Sequence, residues 1–265
     1  MRHIPRKRFG QHFLHDGHVI AQIIAAIEIQ VSDLVVEIGP GLGALTEPLL
    51  KRLPHLHVIE LDRDLAARLR ERHAPVRLSV HEHDALKFDL RTLGNDIRLV
   101  GNLPYNISTP LLFHFAQFLD HLRDGHFMLQ QEVVERMIAA PSTPSYGRLS
   151  VMLQLDFEMQ QLLHIPPEAF TPPPKVESAI VRMVPIRDGR FGVSDRKVFE
   201  QVVARAFTQR RKTLRNSLSA FLSGDDFVEL DLDPMLRAEN LAVADYIKIA
   251  NHVALRGISR AAPGT

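Results

Sequence analysis

The sequence contains no cysteine. That absence excludes disulfides, thiolate nucleophiles and cysteine-ligated zinc or iron–sulfur centres. No stretch holds eighteen uninterrupted apolar residues, and the opening Met1-Arg2-His3-Ile4-Pro5-Arg6-Lys7-Arg8 has no apolar signal core. Secretion and membrane spanning are therefore not expected, and a cytoplasmic location is. A surplus of one charge sign is lacking too: 32 Lys and Arg stand against 31 Asp and Glu, a net of +1, so the field of the whole chain selects no partner. The 14 histidines include no HExxH arrangement. The pairs His55 and His57, and His81 and His83, have strand spacing and read as surface residues, so no metal is expected.

What is present is enough for a sizeable core: 265 residues, 45% of them hydrophobic, fitting one large domain or a large and a small one. Helical spacing over Val19 to Ile29 leads to a short buried strand, Leu34 to Ile38, followed at once by glycines. A helical stretch from Leu45 to Leu53, a strand at Val58 to Glu60, a helix from Leu65 to Arg72 and strands at Val76 to Val80 and Ile97 to Val100 continue the alternation. Leu111 to Leu119 and Glu132 to Ala140 read as helices, Gly125 to Gln130 as a strand, and Leu149 to Phe157 as either. Short Val/Ile/Leu strands between helices predict an α/β fold with a mainly parallel sheet covered on both faces. Two proline clusters, Pro166-Pro167 and Pro172-Pro173-Pro174, then interrupt the pattern, and Val176 to Val184 alternates as a closing antiparallel strand. Beyond about Pro185 only helices are expected, at Val198 to Phe207, Leu214 to Phe221 and Ala244 to Leu255. Two domains are predicted, 1–185 and a small helical 186–265.

Two loops carry chemistry. Glu37-Ile38-Gly39-Pro40-Gly41-Leu42-Gly43 joins the first of these strands to its helix, where missing side chains let a bulky ligand approach the backbone. Such loops serve both dinucleotides and S-adenosylmethionine. Glu60 ends the next strand, placed to accept two ribose hydroxyls, and Asp84 follows the third, placed to accept from an adenine amine. The second loop, Gly101-Asn102-Leu103-Pro104-Tyr105-Asn106, follows the fourth strand. The lone pair of an adenine amine is delocalised into the ring and has to be turned toward an incoming methyl carbon. The Asn102 amide oxygen and the carbonyl of Leu103 or Pro104 can both accept from that amine, with proline fixing the backbone. Tyr105, one of three tyrosines, can stack on a displaced base, a contact of about 1–3 kcal/mol. Phe170, between the proline clusters, is a candidate for the opposite face of an aromatic sandwich.

Arg205, Arg210, Arg211, Lys212 and Arg215 place five positive charges within eleven residues with no acid among them. On one helix running from Val198 to Leu218 they would form a loose stripe, suited to a phosphate backbone. Arg6, Lys7 and Arg8 form a second basic patch near the N-terminus.

Taken together, Phe9-Gly10-Gln11-His12-Phe13-Leu14, Glu37 to Gly43, Glu60, Asp84, Gly101 to Tyr105, Phe170 to Val176 and Arg210-Arg211-Lys212 resemble the small-subunit rRNA adenine N6,N6-dimethyltransferase family, in order and over most of the chain. The resemblance implies a Rossmann-like S-adenosylmethionine-dependent methyltransferase domain followed by a helical rRNA-recognition domain. It implies cofactor contacts from Gln11, His12, Leu14, Gly39, Gly41, Glu60, Leu61, Asp84, Ala85 and Asn102, with Gln11 at the methionine end. The target base would fall to Asn102, Leu103, Pro104, Tyr105 and Phe170, and rRNA contacts to Arg6, Lys7, Arg8, Lys175, Arg205, Arg210, Arg211, Lys212 and Arg215. The substrate it implies is two adjacent adenosines in the 3′-terminal hairpin loop of 16S rRNA, in the small subunit or its precursor, with the enzyme a monomer. One departure is His12, where the family usually has asparagine. Open alternatives are a large-subunit rRNA or DNA adenine methyltransferase, a non-catalytic RNA-binding assembly factor and a nicotinamide-dependent dehydrogenase.

Overall fold

A computed structural model describes residues 12–187, 192–209 and 211–257. In chain order its strands are β1 (Phe13–Leu14), β2 (Leu34–Ile38), β3 (Leu56–Glu60), β4 (Leu78–Glu82), β5 (Ile97–Asn102), β6 (Leu122–Gln130), β7 (Phe157–Ile165), β8 (Phe170–Thr171) and β9 (Ser178–Pro185). The helices are α1 (Gly17–Ile27), α2 (Thr46–Leu50), α3 (Arg63–Arg72), α4 (Ser108–Phe115), α5 (Gln131–Ile138), α6 (Arg148–Gln154), α7 (Arg196–Phe207), α8 (Leu214–Ser217), α9 (Gly224–Glu229) and α10 (Val243–Leu255).

Among the described residues seven strands form one sheet in the order β4-β3-β2-β5-β6-β9-β7. The first five run parallel, and β9 is antiparallel to both β6 and β7. The central strands are parallel because each is followed by a helix that returns the chain, and their Val, Ile and Leu side chains are buried on both faces. Helix α1 starts where the Asp16 carboxylate accepts from the amides of His18 and Val19, and it buries Ile23, Ile24 and Ile27 against the sheet. After β2 the chain leaves toward β3 on one side, whereas β5 joins β2 on the other. The crevice between those two departures lies beyond the carboxyl ends of the strands, where parallel sheets bind ligands.

The chain divides into two compact units. One runs through Val134 and resumes over Phe157–Pro185; the other comprises Glu135–Asp156 and resumes at Ile186. This differs from the expected single cut after residue 185, because the partners of 135–156 lie far along the chain. The Tyr146 hydroxyl donates to the Leu241 carbonyl at 2.9 Å, and Arg196 grips both Asp156 carboxylate oxygens at 2.8 and 2.6 Å.

Other expectations shift locally. The stretch 149–157 resolves into the end of α6 and the start of β7, a strand of nine residues whose polar FEMQQLLHI pattern gave no alternation. Helix α2 is only Thr46–Leu50, and β4 begins at Leu78 rather than at the exposed Val76. The basic stretch is not one helix: α7 ends at Phe207 and α8 spans only Leu214–Ser217, so the stripe from Arg205 to Arg215 does not form. Helix α9, closed by a reciprocal Ser223–Asp226 capping box, was not anticipated.

Burial controls two histidines, one of which, His57, belongs to the pairs expected on the surface. His57 stacks on His81 across β3 and β4, with Nδ1 and Nε2 3.1 Å apart, and His126 is 2% exposed in β6. Burial pushes His57 down to about 4, helped by His55 and His81. Burial also pushes His126 down to about 4; Asp124 opposes this while Arg98 and Arg182 add to it. In the unfolded chain both titrate near ~6.5. The unfolded state therefore binds these protons first on acidification. Their stabilisation is complete above pH ~6.5 and is lost as pH falls toward about 4. For His126 the loss is on the order of 3 kcal/mol, at ~1.4 kcal/mol per unit; the half-buried His57 contributes less. Urea denaturation at pH 7.5, 6 and 5 should show this decline, and His126→Leu should make it shallower. Equal slopes for the two proteins would remove His126 from the account.

Candidate active site

The loops after β2, β3, β4 and β5 converge on one cavity of about 300 Å³. Its lining includes His12 and Leu14 from the β1 segment, Gly39 and Gly41, Glu60 and Leu61, Asp84 and Ala85, and Asn102 through Tyr105. The loops converge because β2, β3, β4 and β5 run parallel and end at the same edge of the seven-stranded sheet. The β1 segment, ninety positions before Asn102, joins them through the Asn102 amide and the His12 carbonyl.

The glycine loop is held by the sheet itself: the Gly39 amide donates to the Ile59 carbonyl at 2.9 Å. Gly41 has φ +59, and a Cβ added there would sit 3.3 Å from the Phe13 ring. An L side chain in that conformation costs about 1–2 kcal/mol before any packing adjustment. Gly41→Ala should therefore destabilise the fold by about 1–2 kcal/mol, read from urea midpoints. An unchanged midpoint would show that the loop tolerates a side chain. Gly101 is required for another reason, since a Cβ there would lie 2.6 Å from the Ile38 carbonyl of the neighbouring β2.

Two carboxylates sit under this loop. Glu60 accepts from the Gly41 amide at 3.1 Å through one oxygen and from the Asp62 amide at 2.8 Å through the other. Burial raises its pKa above the ordinary carboxylate value, against those amide hydrogen bonds. The carboxylate has lone-pair sites beyond those the amides use, so it can still accept from a further donor. Glu37 is 2% exposed, and burial pushes it up to about 8 despite a 2.6 Å hydrogen bond from the Thr46 hydroxyl. Across the cavity Asp84 is oriented by the Leu86 amide, which donates to its Oδ1 at 3.0 Å. Between them the apolar Leu61, Ala85, Leu86 and Leu103 line the wall. Acceptors at separated points around an apolar slot suit a nucleoside with a ribose and an aromatic base.

Asn102 ends β5 with its amide nitrogen donating to the His12 carbonyl at 3.1 Å. That contact assigns the opposite end of the amide, Oδ1, as an acceptor. The Pro104 carbonyl accepts from the Ile107 amide at 3.1 Å and so is already used in the turn. The Tyr105 hydroxyl is 2.7 Å from the hydroxyl of Ser178, and the His12 ring stacks on Tyr105 with centroids 5.8 Å apart and planes at 24°. His12 is itself tied to the Pro172 carbonyl at 2.8 Å.

Phe170 lies apart from the other residues expected at the target base. It is 2% exposed, packed in the core cluster with Leu14 and Ile180, and absent from the cavity lining. Pairing of β8 with β1 opposes Phe170 to Leu14 and turns its ring inward; the ring beside Tyr105 is that of His12. Lys175, Arg205, Arg211, Lys212 and Arg215 are exposed, Lys175 in the sheet unit and the others in the helical unit. Gln11, Arg6, Lys7, Arg8 and Arg210 lie outside the described residues. Thr46, which donates to the buried Glu37, and Ser178, which meets the Tyr105 hydroxyl, were not singled out in the sequence. A lone serine at the start of a strand carries no pattern.

Comparison with known proteins places this geometry in context. A sequence model of the family described as ribosomal RNA adenine dimethylase matches residues 2–255. A protein of Thiobacillus denitrificans named ribosomal RNA small subunit methyltransferase A is 61% identical over 254 residues, 96% of this chain and 100% of that protein. Its namesake in Nitrosospira multiformis is 58% identical over 252 residues, covering 95% and 97%. The crystal structure of a dimethyladenosine transferase from Plasmodium falciparum superimposes with a TM-score of 0.81 at 26% identity, over 93% of this chain and 98% of that one.

Proposed function

The chain belongs to the ribosomal RNA adenine dimethylase family, and on that premise we propose that it dimethylates N6 of two adjacent adenosines in the 3′-terminal hairpin loop of 16S rRNA during small-subunit assembly. It is a methyltransferase with a Rossmann-like sheet and uses S-adenosylmethionine. The observation that carries the finer reading is one cavity lined both by the glycine loop, Glu60 and Asp84 and by the Asn102–Tyr105 turn.

When bound, S-adenosylmethionine supplies an electrophilic methyl group on a positively charged sulfur. Glu60 would hold its ribose hydroxyls, Asp84 its adenine amine, and Gly39 and Gly41 would let it lie against the backbone. Leu61 and Ala85 would flank its base, and His12, Leu14 and Asn102 would close the other end. On the substrate side, Asn102 Oδ1 and the Leu103 carbonyl accept from the target amine. The Pro104 carbonyl is less suited, being engaged by Ile107. Two acceptors fix the amine hydrogens and so aim the nitrogen lone pair, which supplies orientation rather than acid–base chemistry. Tyr105 supports the plane of the displaced base. No metal is needed, because the methyl group is already electrophilic.

In this reading Lys175 and the exposed Arg205, Arg211, Lys212 and Arg215 meet rRNA phosphates, joined by Arg6, Lys7, Arg8 and Arg210. The enzyme acts as a cytoplasmic monomer. Among the described residues no helix is long and apolar enough to cross a membrane. The test is mass spectrometry of undermethylated 30S subunits after incubation with labelled donor. Two dimethyladenosines in the 3′-terminal hairpin are expected. Absence of methyl gain there, or gain on 23S rRNA fragments incubated in parallel in place of the 30S subunits, would overturn the reading.

A further inference from the structure

We infer that Ser178 is a positioning residue for methyl transfer that acts through Tyr105, an inference that rests on Tyr105 being the platform for the target base. Ser178 is fully buried, at 0% exposure, at the start of β9. There it pairs with Gln130 of β6 on one side and Ile165 of β7 on the other, in the antiparallel part of the sheet. Its hydroxyl lies 2.7 Å from that of Tyr105, 73 residues earlier in the chain.

Tyr105 itself sits in the turn between β5 and α4, a segment secured by few backbone bonds. Its ring is half-buried, and swing about the Cα–Cβ bond would carry the hydroxyl with it, so what the hydroxyl meets limits that swing and the tilt of the ring. Among the described residues the partner of that hydroxyl is Ser178. The bond therefore ties the outer end of the ring to β9, a strand paired on both sides. A base stacked on Tyr105 takes its plane from the ring. That plane sets the direction of the N6 lone pair, so an error of the ring becomes an error of attack. Misplacement of about 1 Å can slow an oriented reaction by up to ~100-fold without removing the contact area that binds the base.

The distinguishing signature is a change in turnover without a change in binding. Ser178→Ala and Tyr105→Phe should each lower kcat on undermethylated 30S subunits by roughly 10-fold. KM and the calorimetric affinity for S-adenosylmethionine should stay within about 2-fold. Each variant breaks the same bond, so the double variant should be no slower than either single one. Wild-type turnover in Ser178→Ala, multiplicative losses in the double variant, or cofactor affinity falling in step with rate would each overturn the inference. Thermal melting accompanies the kinetics; should Ser178→Ala be destabilised, Tyr105→Phe, which keeps the ring, breaks the same bond and decides the question. Tyr105→Ala separates the two layers. Unchanged methylation in that variant sinks the platform reading itself, whereas slow Tyr105→Ala beside fast Tyr105→Phe and Ser178→Ala sinks only the role of Ser178.

Discussion

Asn102→Ala is expected to lower kcat for rRNA methylation by about 10²–10³-fold, the scale for losing one preorganised polar group at a reacting centre. Cofactor affinity should change by no more than a few-fold. The asymmetry follows from where the side chain sits. Its nitrogen is committed to the His12 carbonyl at 3.1 Å, which leaves the amide oxygen as the end able to receive the target amine. Glu60 and Asp84, the groups proposed to hold the cofactor, are oriented by other amides, from Gly41, Asp62 and Leu86, and not by Asn102. Asn102→Asp sharpens the test. It keeps an acceptor but removes the donor to His12 and sets a carboxylate against that carbonyl oxygen, so it too should be slow, by roughly 10–100-fold. Single-turnover methyl transfer paired with calorimetry separates the two effects. Loss of cofactor affinity matching the loss of rate would mean that Asn102 serves the cofactor rather than the base.

This assignment began in the sequence, and the reason it was legible there is that strand-end loops of a parallel sheet are local. The Val/Ile/Leu runs of β2, β3 and β5 announce buried strands, and the residues immediately after them, Gly39 to Gly43, Glu60 and Asn102 to Tyr105, are carried to one edge by topology alone. Features that depend on distant pairing were not legible. The polar face of β7 hides a strand that forms only by lying beside β9. Phe170 looked available because prolines flank it, yet its short strand pairs with β1 and buries the ring. The break between α7 and α8 has no proline or glycine to mark it. Ser178 gains meaning only from a tyrosine seventy-three residues away.

Arg98→Met is expected to produce the largest loss of stability, about 3–5 kcal/mol, the range for stripping one partner from a buried ion pair. Against a total of roughly 5–15 kcal/mol for a native domain, that is a large fraction. Arg98 is 5% exposed and places its guanidinium against both oxygens of Asp124 at 2.9 and 2.8 Å and one oxygen of Asp33 at 2.7 Å. It also donates to the Ile27 carbonyl at 2.7 Å, at the end of α1. One side chain thus joins α1, the start of β2, β5 and β6 beneath the site-bearing edge. The two acids are not equally exposed to its loss. Asp33 keeps Arg123 at 2.6 Å and the Gln30 amide at 2.9 Å, whereas among the described residues Asp124 keeps only His126, at 3.6 Å. The orphaned charge is therefore chiefly that of Asp124. In the Arg98→Met background, Asp124→Asn should recover more stability than Asp33→Asn, read from urea midpoints at neutral pH. If both substitutions recover the same amount, or neither recovers any, the loss comes from packing and from the Ile27 carbonyl rather than from a stranded carboxylate.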